Sequence, residues 1–188
     1  MRILGLDPGP VETAYCLIDE GYTVQVAGKT ETALILKALT VSPPDQVVIE
    51  SIQSYGMIVG RAVFDTCYTI GRILQTCDNM GIEWTLYPRP EYTRRICGVG
   101  KINDSILRRA LEMRFGGYGE AKSDEVIPDG EPGAGVYKGG ARKGQPRRRE
   151  VRIPEPLYHL AGNSDKRSAF AVAVYHLDIL KGGKGNGS

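Results

Sequence analysis

The chain opens on an apolar run, Ile3-Leu-Gly-Leu6, that ends in Asp7 and is followed at once by Pro8 and Gly9. The run reads as a buried strand, and the proline and glycine turn the backbone, so Asp7 is left at the lip of a sheet. A second segment, Gln46-Val-Val-Ile-Glu50, is apolar until its own terminal acid. An acid at one strand end is ordinarily a turn residue. A matched pair on two central strands has the makings of a divalent-metal site, because hard cations take oxygen ligands held on rigid elements. A third acid, Asp165, lies in Gly162-Asn-Ser-Asp-Lys-Arg-Ser168, where the last helix begins. Acids there commonly cap free amides. Asn163 and Ser164 are available for that task, which frees Asp165 to face the strand ends.

Around these acids the chain reads as a single α/β domain over residues 1–181. Residues 2–7, 13–19 and 22–27 give three antiparallel strands with a turn at Asp19-Glu-Gly21, and residues 31–40 favour a short helix. After Ser42-Pro-Pro-Asp45 comes the strand ending at Glu50. A long helix is predicted from about Val59 to Cys77, with Val59, Val63, Cys67, Ile70, Leu74 and Cys77 as its buried stripe. Phe64 and Tyr68 fall on a neighbouring face, suited to packing on the sheet or on a partner chain. A strand at Ile82–Tyr87, a short helix near Glu91–Cys97 and a helix from about Asn103 to Phe115 follow. The last helix spans about Lys166–Lys181, with Phe170, Val174 and Leu177 on its buried face. The sum is a mixed five-stranded sheet flanked by helices, a class whose strand ends form the working edge.

Between residues 116 and 158 glycine, proline and arginine displace apolar residues, which predicts a long, mobile insertion; 182–188 reads as a flexible tail. The formal charge of +2 is too small to imply nucleic acid. Its distribution says more: Lys138, Arg142, Lys143, Arg147, Arg148, Arg149 and Arg152 face only Glu150 in that stretch, a patch suited to phosphates or, equally, a solvated loop. No apolar stretch is long enough to cross a bilayer and no signal-peptide pattern opens the chain, so a cytoplasmic, non-membrane protein is expected. Cys16, Cys67, Cys77 and Cys97 are scattered without C-x-x-C pairing and read as reduced, mostly buried thiols. His159 and His176 read as structural.

Four segments in order carry a resemblance. They are Ile3-Leu-Gly-Leu-Asp-Pro-Gly9, Val47-Val-Ile-Glu50 with Ser54-Tyr-Gly-Met57, Ile96-Cys-Gly-Val-Gly100, and Ser168-Ala-Phe-Ala-Val-Ala-Val174 leading to His176. Together they resemble the RuvC-type Holliday junction resolvases of the ribonuclease-H-like fold, in a divergent branch of the kind found in mobile elements and viruses. The resemblance implies a crossover junction endodeoxyribonuclease: a homodimer that binds four-way or branched DNA and nicks two opposed strands in recombination or repair. It implies Mg2+, with Mn2+ able to substitute and two ions per active site, held by Asp7, Glu50 and Asp165 as catalytic and metal-ligating residues. Ser168 departs from the family, which has an acid there, and would retain only a supporting role toward a metal-bound water. The family's two lysines correspond to Thr93 and Asp104, so Arg94, Lys101 and Arg108 are the candidate replacements. Tyr55 and Met57 fall where the family places groups against the exchange point, and stacking of Tyr55 on a base is worth about 1–3 kcal/mol. Arg147, Arg148 and Arg149 are further candidates for DNA contact.

The same residues leave two other classes open: a related nuclease on other branched DNA or structured RNA, and a junction-binding protein weakened in catalysis by Ser168. A sugar-kinase-like ATPase, which shares an Asp-x-Gly start, is disfavoured because 188 residues cannot hold its duplicated domains.

Overall fold

The structure is a computed structural model, described for residues 1–54, 56, 58–98 and 102–183. Five strands form the central sheet: β1 (Arg2–Pro8), β2 (Glu12–Asp19), β3 (Val24–Glu31), β4 (Gln46–Ser51) and β5 (Glu83–Pro88), in the order β3-β2-β1-β4-β5. The first three are antiparallel neighbours, and β4 and β5 add in parallel beside β1. This is the mixed, ribonuclease-H-like sheet expected from the sequence. Because β1 and β4 are covered on both faces, they read as continuous apolar runs rather than alternating ones.

Side-chain alternation along the strands separates two cores. Leu6, Val47 and Ile49 face α1 (Thr32–Val41) and α2 (Arg61–Met80), where Ile35, Leu39, Ile70, Ile73 and Cys77 meet them. Ile3, Cys16 and Val48 face the other way, toward α5 (Ser164–Gly183), with Leu107, Leu111 and Phe170. Residues 169–174 of α5 are fully buried, since the sheet lies under that helix and α3 (Arg89–Cys97), α4 (Asp104–Phe115) and the turn Tyr158–Leu160 lie over or beside it.

Three details depart from expectation. The buried stripe of α2 runs through Thr66, Thr69, Ile70, Ile73 and Cys77, while Cys67 is exposed. Apolar residues alone misplace the stripe because threonines are part of it. Thr66 is buried at no polar cost, as its hydroxyl donates to the Ala62 carbonyl at 2.9 Å. The third strand starts at Val24 rather than residue 22, because Tyr22 takes a left-handed φ of 66° that closes the turn from Asp19. Finally, the insertion over 116–158 is organised: β6 (Glu120–Val126) and β7 (Arg148–Pro154) pair as a two-stranded antiparallel ribbon. Its base is tied into the core by Tyr118 and Leu157, with Leu160 just beyond it, and apolar residues within the segment are too sparse to signal order. Residues 184–188 of the expected tail lie outside the described residues, and no helix among the described residues is long and apolar enough to cross a membrane.

Candidate active site

Register brings the first two acids together. Leu6 pairs with Ile49 in the parallel β1–β4 ladder, so Asp7 and Glu50 are the next residues along neighbouring strands. Asp7 shares the face of Ile3, and Glu50 the face of Val48, so both project toward α5. Ala14 stands opposite Asp7 on β2, and Lys29 opposite Ala14 on β3. One row therefore crosses the sheet, from Glu50 through Asp7 and the small Ala14 to Lys29.

The first turn of α5 completes the row from above. Gly5 makes this possible: a Cβ at that position would lie 1.9 Å from the Ala169 carbonyl oxygen and 2.9 Å from the Ala173 Cβ. The helix backbone thus rests directly on β1, two residues before Asp7. Asn163 caps the helix, its side-chain oxygen accepting from the amides of Asp165 at 2.8 Å and Lys166 at 3.2 Å. Asp165 is left free of the capping role and accepts from Lys29 Nζ at 2.9 Å.

On the far side, Arg89 reaches back from the start of α3. Its Nη1 donates to Ser168 Oγ at 2.8 Å and lies 3.5 Å from Glu50 Oε1, while Nη2 donates to Asp104 at the start of α4. The buried Tyr92 hydroxyl donates to the other Glu50 oxygen at 2.5 Å. Burial and the Glu50 charge push that phenol up, so it stays protonated and a donor.

The electrostatics of the row are uneven. Burial, and then the charges of Glu50 and Asp165, push the Asp7 carboxyl up to about 8. Asp165 moves the other way, held below the usual carboxylate range by its hydrogen bond from Lys29. Asp7 is thus an oxygen donor in an acid-rich pocket without a hydrogen-bonded cation of its own among the described residues. The donor set fits a hard divalent cation in kind: carboxylate oxygens on rigid strand ends, in a setting where added positive charge is favourable. In the present arrangement, however, no three His, Cys, Asp or Glu side chains among the described residues are gathered at the spacing of a metal cage. Lys29 and Arg89 hold Asp165 and Glu50.

Of the remaining residues singled out from sequence, Ser168 lies at the site, buried under Arg89. Thr93 is buried, its hydroxyl donating to the Arg89 carbonyl at 2.7 Å. Arg94 and Arg108 are exposed on α3 and α4, and Arg108 stacks over the Tyr118 ring at 5.5 Å. Arg147, Arg148 and Arg149 are exposed on and beside the start of β7, at the end of the ribbon opposite its base. Tyr55, Met57 and Lys101 lie outside the described residues. His176 is structural, with Tyr87 at one ring nitrogen and Gln46 at the other, both 2.8 Å away. Two residues escaped the sequence reading. Lys29 became visible only through β2–β3 register. Arg89 could have been found, since it directly follows the β5 end that lies beside Glu50.

Solved structures match the fold of this chain over nearly its whole length. Thermus thermophilus RuvC in complex with Holliday junction substrate superposes with a TM-score of 0.62, at 13% identity, covering 97% of each chain. A second structure of Thermus thermophilus RuvC gives 0.59 at the same identity and coverage. The chain has the RuvC fold. At 13% identity the likeness to RuvC resides in the backbone rather than in shared residues. No family model and no curated protein sequence matches the chain.

Proposed function

We propose that this protein is a metal-dependent, structure-specific DNA endonuclease that resolves four-way junctions by paired nicks. The observation that carries the reading is the row of Asp7 and Glu50 on adjoining strand ends, facing Asp165 on the first turn of α5, within a RuvC fold. Asp7, Glu50 and Asp165 would hold Mg2+, which supplies an activated water and a counter-charge for the departing 3′-oxygen. The chain's own residues do the rest. Gly5 sets the height of α5 above Asp7, Tyr92 and Arg89 orient Glu50, and Lys29 keeps Asp165 ionised and directed at the row. Acids this concentrated repel a phosphate backbone until they are neutralised, so cutting depends strictly on the metal.

The active form is a homodimer in this reading. Phe64 and Tyr68, one helical turn apart on α2, are 52% and 69% exposed and belong to neither core of the sheet. Replacing Phe64 with Asp is expected to convert a dimer to a monomer by light scattering while the fold is retained. An unchanged dimer would place the interface elsewhere.

The deciding experiment incubates the purified protein with synthetic four-way, forked and linear DNA in Mg2+ and in EDTA. Symmetric nicks confined to the four-way substrate and abolished by EDTA are expected. Equal cutting of forks would favour the broader branched-DNA nuclease, and junction binding without any cutting the binding protein.

A further inference from the structure

We propose that Arg89 is a built-in cation that takes the place of a second metal ion in this site, leaving room for one. The inference rests on the nuclease reading above and names how that site handles its phosphate. Nη1 of Arg89 lies 2.8 Å from Ser168 Oγ and 3.5 Å from Glu50 Oε1, so a guanidinium nitrogen already fills the gap between those two oxygens. A divalent ion bridging them would have to stand where that nitrogen stands. Ser168, with no charge of its own and 1% exposed, is an acceptor suited to a guanidinium and a weak ligand for a hard cation.

The charge balance agrees. Two built-in cations, Lys29 and Arg89, already hold Asp165, Glu50 and Asp104, so the acids of the row need less added positive charge than a two-ion site would. The acid that lacks a hydrogen-bonded cation is Asp7, while Asp165 is held by Lys29 and Glu50 by Arg89. A single ion is therefore assigned to Asp7 and the two acids that flank it, Glu50 and Asp165.

Arg89 is also more than a structural tie. Its side chain is 36% exposed although it is fixed from β4, α4 and α5 together, and Thr93 pins its carbonyl. A guanidinium has five N–H donors. Those on Nε, and the second on Nη2, have no acceptor among the described residues. They are available to the non-bridging oxygens of a phosphodiester. In hydrolysis a bond forms from a water oxygen to phosphorus, the P–O3′ bond breaks, and one water proton ends on the departing 3′-oxygen. Negative charge grows on the non-bridging oxygens as this happens, and a cation already in position stabilises it without reorganisation. Arg89 is a catalytic residue on this account, touching the scissile phosphate from the Glu50 side.

The test counts metal ions separately from turnover. Mn2+ binding to the metal-free full chain is followed by electron paramagnetic resonance and calorimetry, without DNA. The wild type is expected to bind one ion per chain. A double variant, Arg89→Gln with Ser168→Asp, is expected to bind two, because it removes the cation and supplies a ligand. Single-turnover nicking of a four-way junction should fall about 100- to 1,000-fold in Arg89→Gln. Arg89→Lys, which keeps the charge and loses the fork, should recover part of that rate, and thermal unfolding confirms that each variant is folded. Two Mn2+ ions in the wild type, with junctions still nicked, overturn the Arg89 assignment alone. So does nicking by Arg89→Gln within threefold of wild type. One ion bound with no nicking of any DNA overturns the nuclease reading and this inference with it.

Discussion

Asp7 carries the least comfortable charge among the site residues, and its discomfort has a measurable sign. Its folded carboxyl is pushed up to about 8, against about 4 for an unfolded aspartate. Between those values the metal-free native state holds a proton that the unfolded chain has lost, so stability falls as pH rises from about 4 to about 8. Asp7→Asn removes the charge and keeps the shape. In EDTA at pH 8 the variant should be more stable than wild type by about 2 kcal/mol, with the gap closing toward pH 5. Chemical denaturation at the two pH values checks this, and a gap independent of pH would mean Asp7 is not the strained group. The same variant should lose junction cutting while keeping most junction binding. Glu50 offers a companion case. Tyr92→Phe leaves one Glu50 oxygen without its 2.5 Å donor in a part-buried position and should cost about 1–3 kcal/mol by urea unfolding. A loss below a few tenths would show that water replaces the phenol.

At the scale of elements, the site depends on the height and start of α5. A methyl group at position 5 would meet the Ala169 carbonyl oxygen at 1.9 Å, and backbone cannot yield as a flexible side chain does. Gly5→Ala should therefore destabilise the fold by about 3 kcal/mol and lower activity further, by lifting Asp165 away from Asp7. Wild-type stability in that variant would mean α5 rides higher over β1. Asn163→Ala, which removes the cap on the same turn, should cost about 1 kcal/mol. Here sequence and structure meet. Asp7, Glu50 and the Asn163 cap were legible because each is a local event: an apolar run ending in an acid, or an amide donor with an acceptor two or three residues back. Lys29 was not, because its place depends on the register of β2 against β3, across a bulge between Leu17 and Ile18. Arg89 lay in the blind spot between them. It is local to the β5 end, but its meaning comes from Ser168 and Asp104, residues 79 and 15 positions away. The α2 stripe was misplaced for a chemical reason, since Thr66 and Thr69 count as polar in a pattern and behave as packing residues in a helix.

For the molecule as a whole, the β6–β7 ribbon forms a sheet of its own, separate from the one that carries the acid row. The ribbon returns through the Tyr158–Leu160 turn into the first turn of α5, so its base adjoins the segment that bears Asp165. Much of its positive charge is already matched: Arg142 and Arg148 pair with Asp124, Arg149 with Glu131, and Lys122 and Arg152 with Glu150. These pairs are exposed and individually weak, yet each must be given up before its cation can meet a phosphate at full strength. Lys138, Lys143 and Arg147 form no ion pair among the described residues and lie toward the ribbon's far end. If the ribbon grips a DNA arm, these three dominate the grip. Replacing them together with Gln should lower the slope of log affinity against log salt by about 2–3, near 0.9 for each phosphate that is no longer neutralised. Replacing Arg142, Arg148 and Arg149 should change it less, because part of their attraction is already committed to Asp124 and Glu131. Filter binding to a four-way junction between about 50 and about 200 mM salt reads the slopes directly. Equal slopes in wild type and both triple variants would make the ribbon a spacer, and leave DNA affinity to the helices around the acid row.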